Sequence, residues 1–450
     1  MPNVARIFTA QWFSLGLCWL LLLRMSPLKA QDGAQVSINP DKVLIINGQK
    51  VFPIGFTMPP PPDGKAPNGK NTIEELHDAG ATFLRTGVMG RDWDDAAIAQ
   101  EDKWEAAAAR YGMHCLVGLR ELAQLGPTDA QHEAMLRKLV NHFKHHPGLG
   151  AWKTVDEPEW GKVPVSPILH ASNIIRQLDP QHPIEVTQAP RGTVQTMQPY
   201  NVTADILAAD IYPVGYPPGG HSLLPNKEIS MVGDYTKTMM QVGAGKMPVW
   251  MILQIAWSGV IKPGKTLRFP TFAEERFMTY QAIINGARGI FYFGGHIPKA
   301  MTPEDARLGW NWRFWNRVLR PVIEEIGEHS PLYPALVAPD SKLPVKVEAI
   351  QTNPAGKPDI KPTSAPTNNS KLGVEFCVRE GGDDIFILAC KREGATVQVE
   401  FSGLPAWTKQ GEVMFESPRT VQAESGKFTD WFGPFEVHVY RFRKAPLANP

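Results

Sequence analysis

The sequence predicts an α/β fold: a (β/α)8 barrel of the TIM type, followed by a small C-terminal all-β sandwich. Three observations predict it. Strand-like and helical segments alternate through eight units between Val51 and Ile326. The strand-like runs are apolar almost without interruption, as parallel strands covered on both faces must be. Beyond Ile326 the texture changes to short strand-like runs separated by turns, which is the pattern of a β-sandwich.

Each unit is read in order. Asn47-Gly48 is a hairpin turn between Val43–Ile46 and Val51–Ile54, and Val51–Phe56 continues as strand one. Asn71–Gly80 is a helix capped by Asn71, and Ala81–Val88 is strand two. The Ala-rich helix Asp94–Tyr111 stops at Gly112, and His114–Leu119 is strand three. Helix Thr128–His145 stops at Pro147-Gly148 and leads to strand four, Gly150–Val155. Ser166–Leu178 stops before Pro180 and leads to strand five, Ile184–Gln188. A short helix near Thr193–Gln198 precedes strand six, Ile206–Tyr212. Glu228–Val242 precedes strand seven, Val249–Ile255. Thr271–Asn285 precedes strand eight, Gly289–Phe293, and Leu308–Ile326 closes the ring as helix eight. The sandwich strands are Val345–Ile350, Gly373–Val378, Ile385–Cys390, Val397–Phe401, Glu412–Phe415 and Phe435–Phe442. The Pro- and Ser-containing stretch Asn353–Asn369 is a loop within that region. The expected organisation is therefore residues 1–30 as a leader, 31–335 as the barrel with its hairpin, and 336–450 as the sandwich.

The leader reads as an export signal. Arg6 precedes the apolar run Trp12–Leu23, and Leu28-Lys29-Ala30 offers a small-residue cleavage site before Gln31. The run is short for a membrane span, so no stable membrane insertion is expected after cleavage, although Arg24 leaves an uncleaved anchor as the alternative. A secreted, periplasmic or otherwise extracytoplasmic protein is the expectation.

The formal net charge of +1 and the lack of any basic run argue against a nucleic-acid partner. No Cys/His spacing suggests a metal site, and no phosphate-cradling glycine loop is present, so neither metal nor organic cofactor is expected. Cys115 reads as a buried thiol. Cys377 and Cys390 flank the Gly381–Asp384 turn; a disulfide across the hairpin and two unpaired thiols are both open.

Strand four ends in Asp156-Glu157-Pro158. A barrel of this type builds its active site at the C-terminal ends of its strands. A carboxylic acid that protonates a leaving oxygen needs a raised pKa. Glu157, at the rim of an apolar barrel beside a second carboxylate, would receive both desolvation and like-charge repulsion. The competing reading is a loop whose acids pair with Lys153 or Lys162. Position at the end of strand four favours chemistry. Pyranose rings stack on flat apolar faces, and Trp93, Trp160, Trp257 and Trp310 all fall in predicted strand ends or following loops. Trp152, Trp250, Trp312 and Trp315 read as packing residues. Gln188 and His296 are candidate polar contacts at the ends of strands five and eight.

Taken together, the hairpin into Pro53–Phe56, Arg85 on strand two, Trp152 with Asp156-Glu157-Pro158 on strand four, Asp210-Ile211-Tyr212-Pro213 on strand six and the closing Phe435–Phe442 are similar to glycoside hydrolases. The resemblance is to the large (β/α)8 clan that includes cellulases, mannanases and β-galactosidases, with an appended β-sandwich. It implies a carbohydrate substrate, an oligo- or polysaccharide. It makes Glu157 the acid/base and Arg85 the support of a nucleophile. It also places Asp156 at the sugar 2-position, where the clan usually has Asn. Strand seven departs from the pattern: the nucleophile Glu is replaced by Gln254, and an amide forms no stable glycosyl ester. Three carboxylates remain as partners. Asp210 would be the base of an inverting reaction. Asp156 would hold a substrate 2-acetamido group that attacks the anomeric carbon. Glu121, beside Arg120, is the weakest candidate. The expected site thus holds Glu157, Asp156 and Asp210 as catalytic groups, with Arg85, Gln188, Tyr212, Gln254, Trp257, Trp93, Trp160, Trp310 and His296 around the sugar. A carbohydrate-binding barrel that has lost catalysis is the alternative, and Gln254 is the feature that speaks for it.

Overall fold

The strand ends that carry the site belong to one closed ring. In this computed structural model, residues 33–257, 264–352, 358–359 and 372–444 are described. The ring consists of β1 (Ile54–Thr57), β2 (Phe83–Gly87), β3 (His114–Gly118), β4 (Leu149–Asp156), β5 (Ile184–Gln188), β6 (Ile206–Asp210), β7 (Val249–Gln254) and β8 (Gly289–Phe293). Neighbours pair in parallel all the way round, and β8 closes on β1. Crossover helices α1 (Thr72–Asp78), α2 (Asp95–Arg110), α3 (Ala130–Phe143), α4 (Val165–Leu178), α5 (Val194–Met197), α6 (Met231–Val242) and α7 (Phe272–Ile284) cover the outside. Their starts are fixed locally. The Asn71 side chain accepts from the first amides of α1, and Thr271 with Glu274 forms a reciprocal cap on α7.

Large aromatics fill the lower barrel. Trp250 stacks on Phe291 at 5.4 Å, and Phe83 meets Trp250 edge-on at 5.8 Å. Glycines on the neighbouring strands make the room: a Cβ at Gly55 would lie 2.4 Å from the Phe291 ring, and one at Gly289 would lie 2.7 Å from Trp250. Ala34, Val36, Leu44 and Ile46 join this cluster from below and plug the N-terminal end of the barrel.

That plug differs from the expected hairpin. Gln49–Val51 pairs with Leu44–Ile46, Val36–Ile38 adds a third strand, and β1 begins only at Ile54. Pro53 has no amide hydrogen to continue a ladder, and the Phe52 amide donates to the Tyr333 hydroxyl at 3.0 Å instead. The expected single helix Leu308–Ile326 is also broken. Pro303–Leu308 ends at Gly309 in the left-handed region, and a turn at Trp312–Phe314 and a wide π-type turn at Trp315–Leu319 precede the helix Arg320–Ile326. Pro321 removes one donor from this helix, and the wide turn lies directly before it.

Two antiparallel sheets follow. Lys346–Ala349, Val397–Ser402 and Phe428–Phe432 form one. Val374–Gly381, Asp384–Lys391, Val437–Phe442, Gln410–Met414 and Arg419–Gln422 form the other, in that spatial order. Phe428–Phe432 and Arg419–Gln422 are additions to the expected strands; their outward polar residues dilute the apolar signal. Phe401, Phe428 and Tyr440 pack between the sheets. The barrel core runs on into Phe386, Leu388, Val437 and Val439, and Arg276 on α7 pairs with Glu325 while donating to the Val437 carbonyl at 2.9 Å.

Cys115, Cys377 and Cys390 are free thiols. Cys377 faces Leu388 across the hairpin and Cys390 faces Glu375, so the two cysteines are offset along the ladder. Residues 1–30, the expected export signal, lie outside the described residues, as does Asn353–Asn369 apart from 358–359, which pair with Gln351–Thr352. Among the described residues no helix is long and apolar enough to cross a membrane.

Candidate active site

A cleft of about 320 Å³ opens at the C-terminal ends of the barrel strands. Arg85 enters it from β2, Asp156 and Glu157 from β4, Asp210 and Tyr212 from β6, and Trp257 from beyond β7. Its volume is at the low end for small-molecule sites, enough to enclose a short ligand segment rather than a long chain.

Asp156 is the last residue of β4, and it is held by cations. Lys153, three residues earlier on the strand, approaches Oδ1 at 2.7 Å, and the Arg85 guanidinium approaches Oδ2 at 3.5 Å. Burial alone would raise the Asp156 pKa, but Lys153 and Arg85 outweigh it and hold the carboxyl at about 2. About half of the side chain remains open to the cleft, so an ionised acceptor is presented to a ligand. Lys153 is buried and fixed from below by Thr187 Oγ1 at 2.5 Å and Glu185 at 3.3 Å. The pairing of Asp156 with Lys153, the competing reading of this motif, is therefore present, and it coexists with an open carboxylate face.

Glu157 leaves the strand in the left-handed region, with φ of 50°. This conformation costs a residue with a Cβ on the order of 1–2 kcal/mol. It is held by the Glu157 amide donating to the Thr187 carbonyl and by the Gly161 amide donating to the Glu157 carbonyl, both at 2.8 Å. Strain retained at such a position is characteristic of functional sites. Its effect is to let two successive carboxylates, Asp156 and Glu157, both face the cleft.

The Glu157 carboxyl faces Asp210 from β6, with carboxylate oxygens of the two within 4.8 Å of one another. Burial raises the Glu157 pKa; its contact with Asp210 opposes this, and the negative charge of Asp156 adds to it. Asp210 is raised further, by its deeper burial and by the charges of Glu157 and Asp156. Two buried carboxyls this close resist ionising together, so the pair behaves as one titrating unit. The Tyr212 ring stacks between His221 at 4.4 Å and Phe293 at 5.2 Å. His221 Nε2 lies 3.8 Å from Asp210. Ligand atoms of Glu157, Asp210 and His221 lie within 4.8 Å of one another, a spacing that would also suit a divalent cation.

Other expected contacts lie elsewhere. Trp310 is fully buried and packs edge-on against Phe56 at 5.5 Å. Trp93 is 5% exposed, its indole donating to the Gly118 carbonyl at 3.2 Å, so neither ring offers a sugar platform. Gln254 is buried, and its amide bonds both backbone groups of Val214, at 2.7 and 2.8 Å, pinning the loop after β6. The β7 residue that lines the cleft is Ile252, in register with Asp210. Gln188 is buried behind the site, accepting from the Glu159 amide at 3.4 Å. His296 stands edge-on to Phe293, its pKa pushed down to about 4 by burial and by Arg85. Glu121 accepts from the Trp93 amide and makes no ion pair with Arg120 among the described residues. Trp160 and Trp257 do line the cleft.

Residues the sequence left unmarked complete it. Lys153 was visible only as a possible salt-bridge partner. His221 and Lys265 come from long loops without periodicity, and Arg191 from the short connection 189–193 between β5 and α5; Gly219-Gly220 before His221 is the only local signal.

No protein-family model matches the chain, and no curated protein sequence matches it. Solved structures share its fold. A glycoside hydrolase of family 5 from Bacteroides vulgatus ATCC 8482 matches with a TM-score of 0.61 at 14% identity, over 92% of this chain and 93% of that one. A structure described as a glycoside hydrolase matches at 0.59 and 13%, over 91% and 97%. An α-amylase from Geobacillus thermoleovorans, complexed with acarbose, matches at 0.53 and 10%, over 88% and 99%. The likeness spans barrel and β-domain together, and at these identities it is a likeness of fold.

Proposed function

We propose that the chain is an exported glycoside hydrolase in which Glu157, sharing its proton with Asp210, protonates the leaving oxygen. The observation that carries this is the close carboxyl pair, oxygens within 4.8 Å and both pKa values raised by burial, in a cleft at the C-terminal ends of the barrel strands. A pair that keeps one proton near neutral pH supplies the acid for bond cleavage and afterwards recovers the proton from water.

The partner carboxylate is Asp156. Inverting pairs stand roughly 6.5–9.5 Å apart to admit water. Asp210 and Glu157 bring oxygens within 4.8 Å and share a proton, which leaves no free base and little room. The ionised Asp156 fits a substrate-assisted route. It would accept the N–H of a 2-acetamido group while the acetamide oxygen attacks the anomeric carbon and the leaving oxygen takes the proton. Water then adds at the anomeric carbon, giving its proton back to Glu157 and restoring the acetamide. Such a route needs no carboxylate on β7 and draws only on side chains and substrate.

A second reading is favoured by one observation. β7 offers Ile252 to the cleft, and Gln254 is committed to the backbone of Val214. A carbohydrate-binding barrel without catalysis would look the same on that strand. Assaying the purified protein on aryl glycosides and polysaccharides, beside Glu157→Gln, separates the two. Turnover that disappears in the variant supports the hydrolase; binding without turnover in either protein supports the alternative.

A further inference from the structure

The cleft is more cationic than a neutral sugar requires. Four cations line it, Arg85, Lys153, Arg191 and Lys265, against three carboxylates, Asp156, Glu157 and Asp210. Cations therefore outnumber acids even with every carboxyl ionised. Arg85 and Lys153 are spent on Asp156 and Glu185. Arg191 and Lys265 have no carboxylate within 4.0 Å among the described residues.

Each stands over a tryptophan ring of the cleft, Arg191 over the exposed Trp160 and Lys265 over the nearly buried Trp257. The Arg191 guanidinium lies 4.5 Å from the centre of the Trp160 ring, and Lys265 Nζ lies 4.7 Å from that of Trp257. Cation–π contact orients a charge without neutralising it. Thr266, beside Lys265, exchanges two backbone hydrogen bonds with Tyr216 at 3.1 Å, which anchors that side of the cleft. Partly buried cations lining a cleft attract an anion more strongly than they would at an open surface.

We infer that the glycan taken by this cleft carries an anionic group, a uronate carboxylate or a sulfate ester, received by Arg191 and Lys265. This names the substrate class of the site under the glycoside hydrolase reading and rests on it only for the claim that the bound glycan is cleaved.

Titration calorimetry on the full chain carrying Glu157→Gln tests it. The probes are tetrasaccharides of polygalacturonate and hyaluronan for carboxylate, of κ-carrageenan for sulfate, and cellotetraose and chitotetraose as neutral controls. At low salt the best anionic probe should bind about tenfold tighter than the best neutral one, the size of one charge-assisted hydrogen bond. Arg191→Ala and Lys265→Ala should each remove most of that preference, and Arg191→Lys should restore part of it. A preference for uronates identifies a carboxylate ligand, and one for carrageenan a sulfate; either supports the inference. Equal binding of neutral probes, no binding of any anionic probe, or a preference untouched by both alanine variants overturns it. Wild-type hydrolysis of the same panel keeps the two claims apart. Turnover confined to neutral probes overturns the inference and leaves the hydrolase standing. Arg191-dependent anion binding without turnover of any probe upholds the inference and removes the hydrolase.

Discussion

Glu157 and Asp210 leave different strands of the barrel, yet their carboxyl groups meet in the cleft with oxygens within 4.8 Å of one another. Neither residue explains the site alone. Glu157 reaches this position through a left-handed backbone, and Asp210 receives it from a nearly dry pocket beside Tyr212.

The shared proton predicts a pH profile. The singly protonated pair is the active form, and it persists up to the high pKa set by Asp210. Asp210→Asn removes that second titration and leaves Glu157 with its own smaller rise. The alkaline limb of kcat/KM should then move to lower pH. An alkaline limb that stays in place would show that Asp210 does not hold the proton.

Glu157→Gln should lower kcat by a factor on the order of 10²–10⁴ while leaving glycan affinity within a few-fold. The amide keeps the shape but donates no labile proton. Steady-state kinetics beside calorimetry reads both quantities, and undiminished kcat removes Glu157 from the role of acid.

The sequence made the barrel and the Asp156–Glu157 pair legible for one reason. Buried parallel strands are apolar throughout, and chemistry sits where they end. Loops carry no such period, so His221, Arg191 and Lys265 were invisible although all three line the cleft. Tryptophan identity says nothing of burial, and Trp310 and Trp160 look alike in sequence while one is in the core and the other is 47% exposed. Gln254 was legible as a departure, but its engagement with the Val214 backbone depends on a loop fold that spacing does not encode.

That contrast between tryptophans is measurable. Trp310→Ala should cost about 3–5 kcal/mol in urea unfolding, because it empties a packed aromatic cluster. Trp160→Ala should cost little stability and weaken glycan binding instead. Reversal of the two effects would mean that the assignment of core and platform is wrong.

Beneath the cleft, Lys153 bridges Asp156 and the buried Glu185. Lys153→Met leaves Glu185 without a counter-ion and should destabilise the fold by about 3–5 kcal/mol. Adding Glu185→Gln should recover a substantial part, since it removes the stranded charge. A double variant as unstable as the single one would place the effect in packing.

A second buried acid makes stability depend on pH. Glu101 on α2 accepts from the Thr86 hydroxyl and, at 2.9 Å, from the Gly87 amide. Burial and the neighbouring Glu105 raise its pKa from 4.5 to about 8. The folded state therefore binds a proton that the unfolded chain has released between these values. Its contribution to stability is full below about 4.5, declines as pH rises and is gone above about 8. Glu101→Gln, whose amide oxygen can accept from Gly87 while its NH2 donates to the Thr86 hydroxyl, should flatten the fall in melting temperature between pH 5 and 8. An unchanged slope would assign that fall to other groups.

The stereochemistry of the first product tests the central claim most directly. Proton NMR of early hydrolysis of a 2-acetamido glycoside should show the anomeric configuration retained. Mass spectrometry of the protein under the same conditions should show no sugar attached to any carboxylate. An inverted first product, or a glycosyl ester trapped on a protein carboxylate, would contradict the assignment of Asp156 and Glu157 to a substrate-assisted reaction.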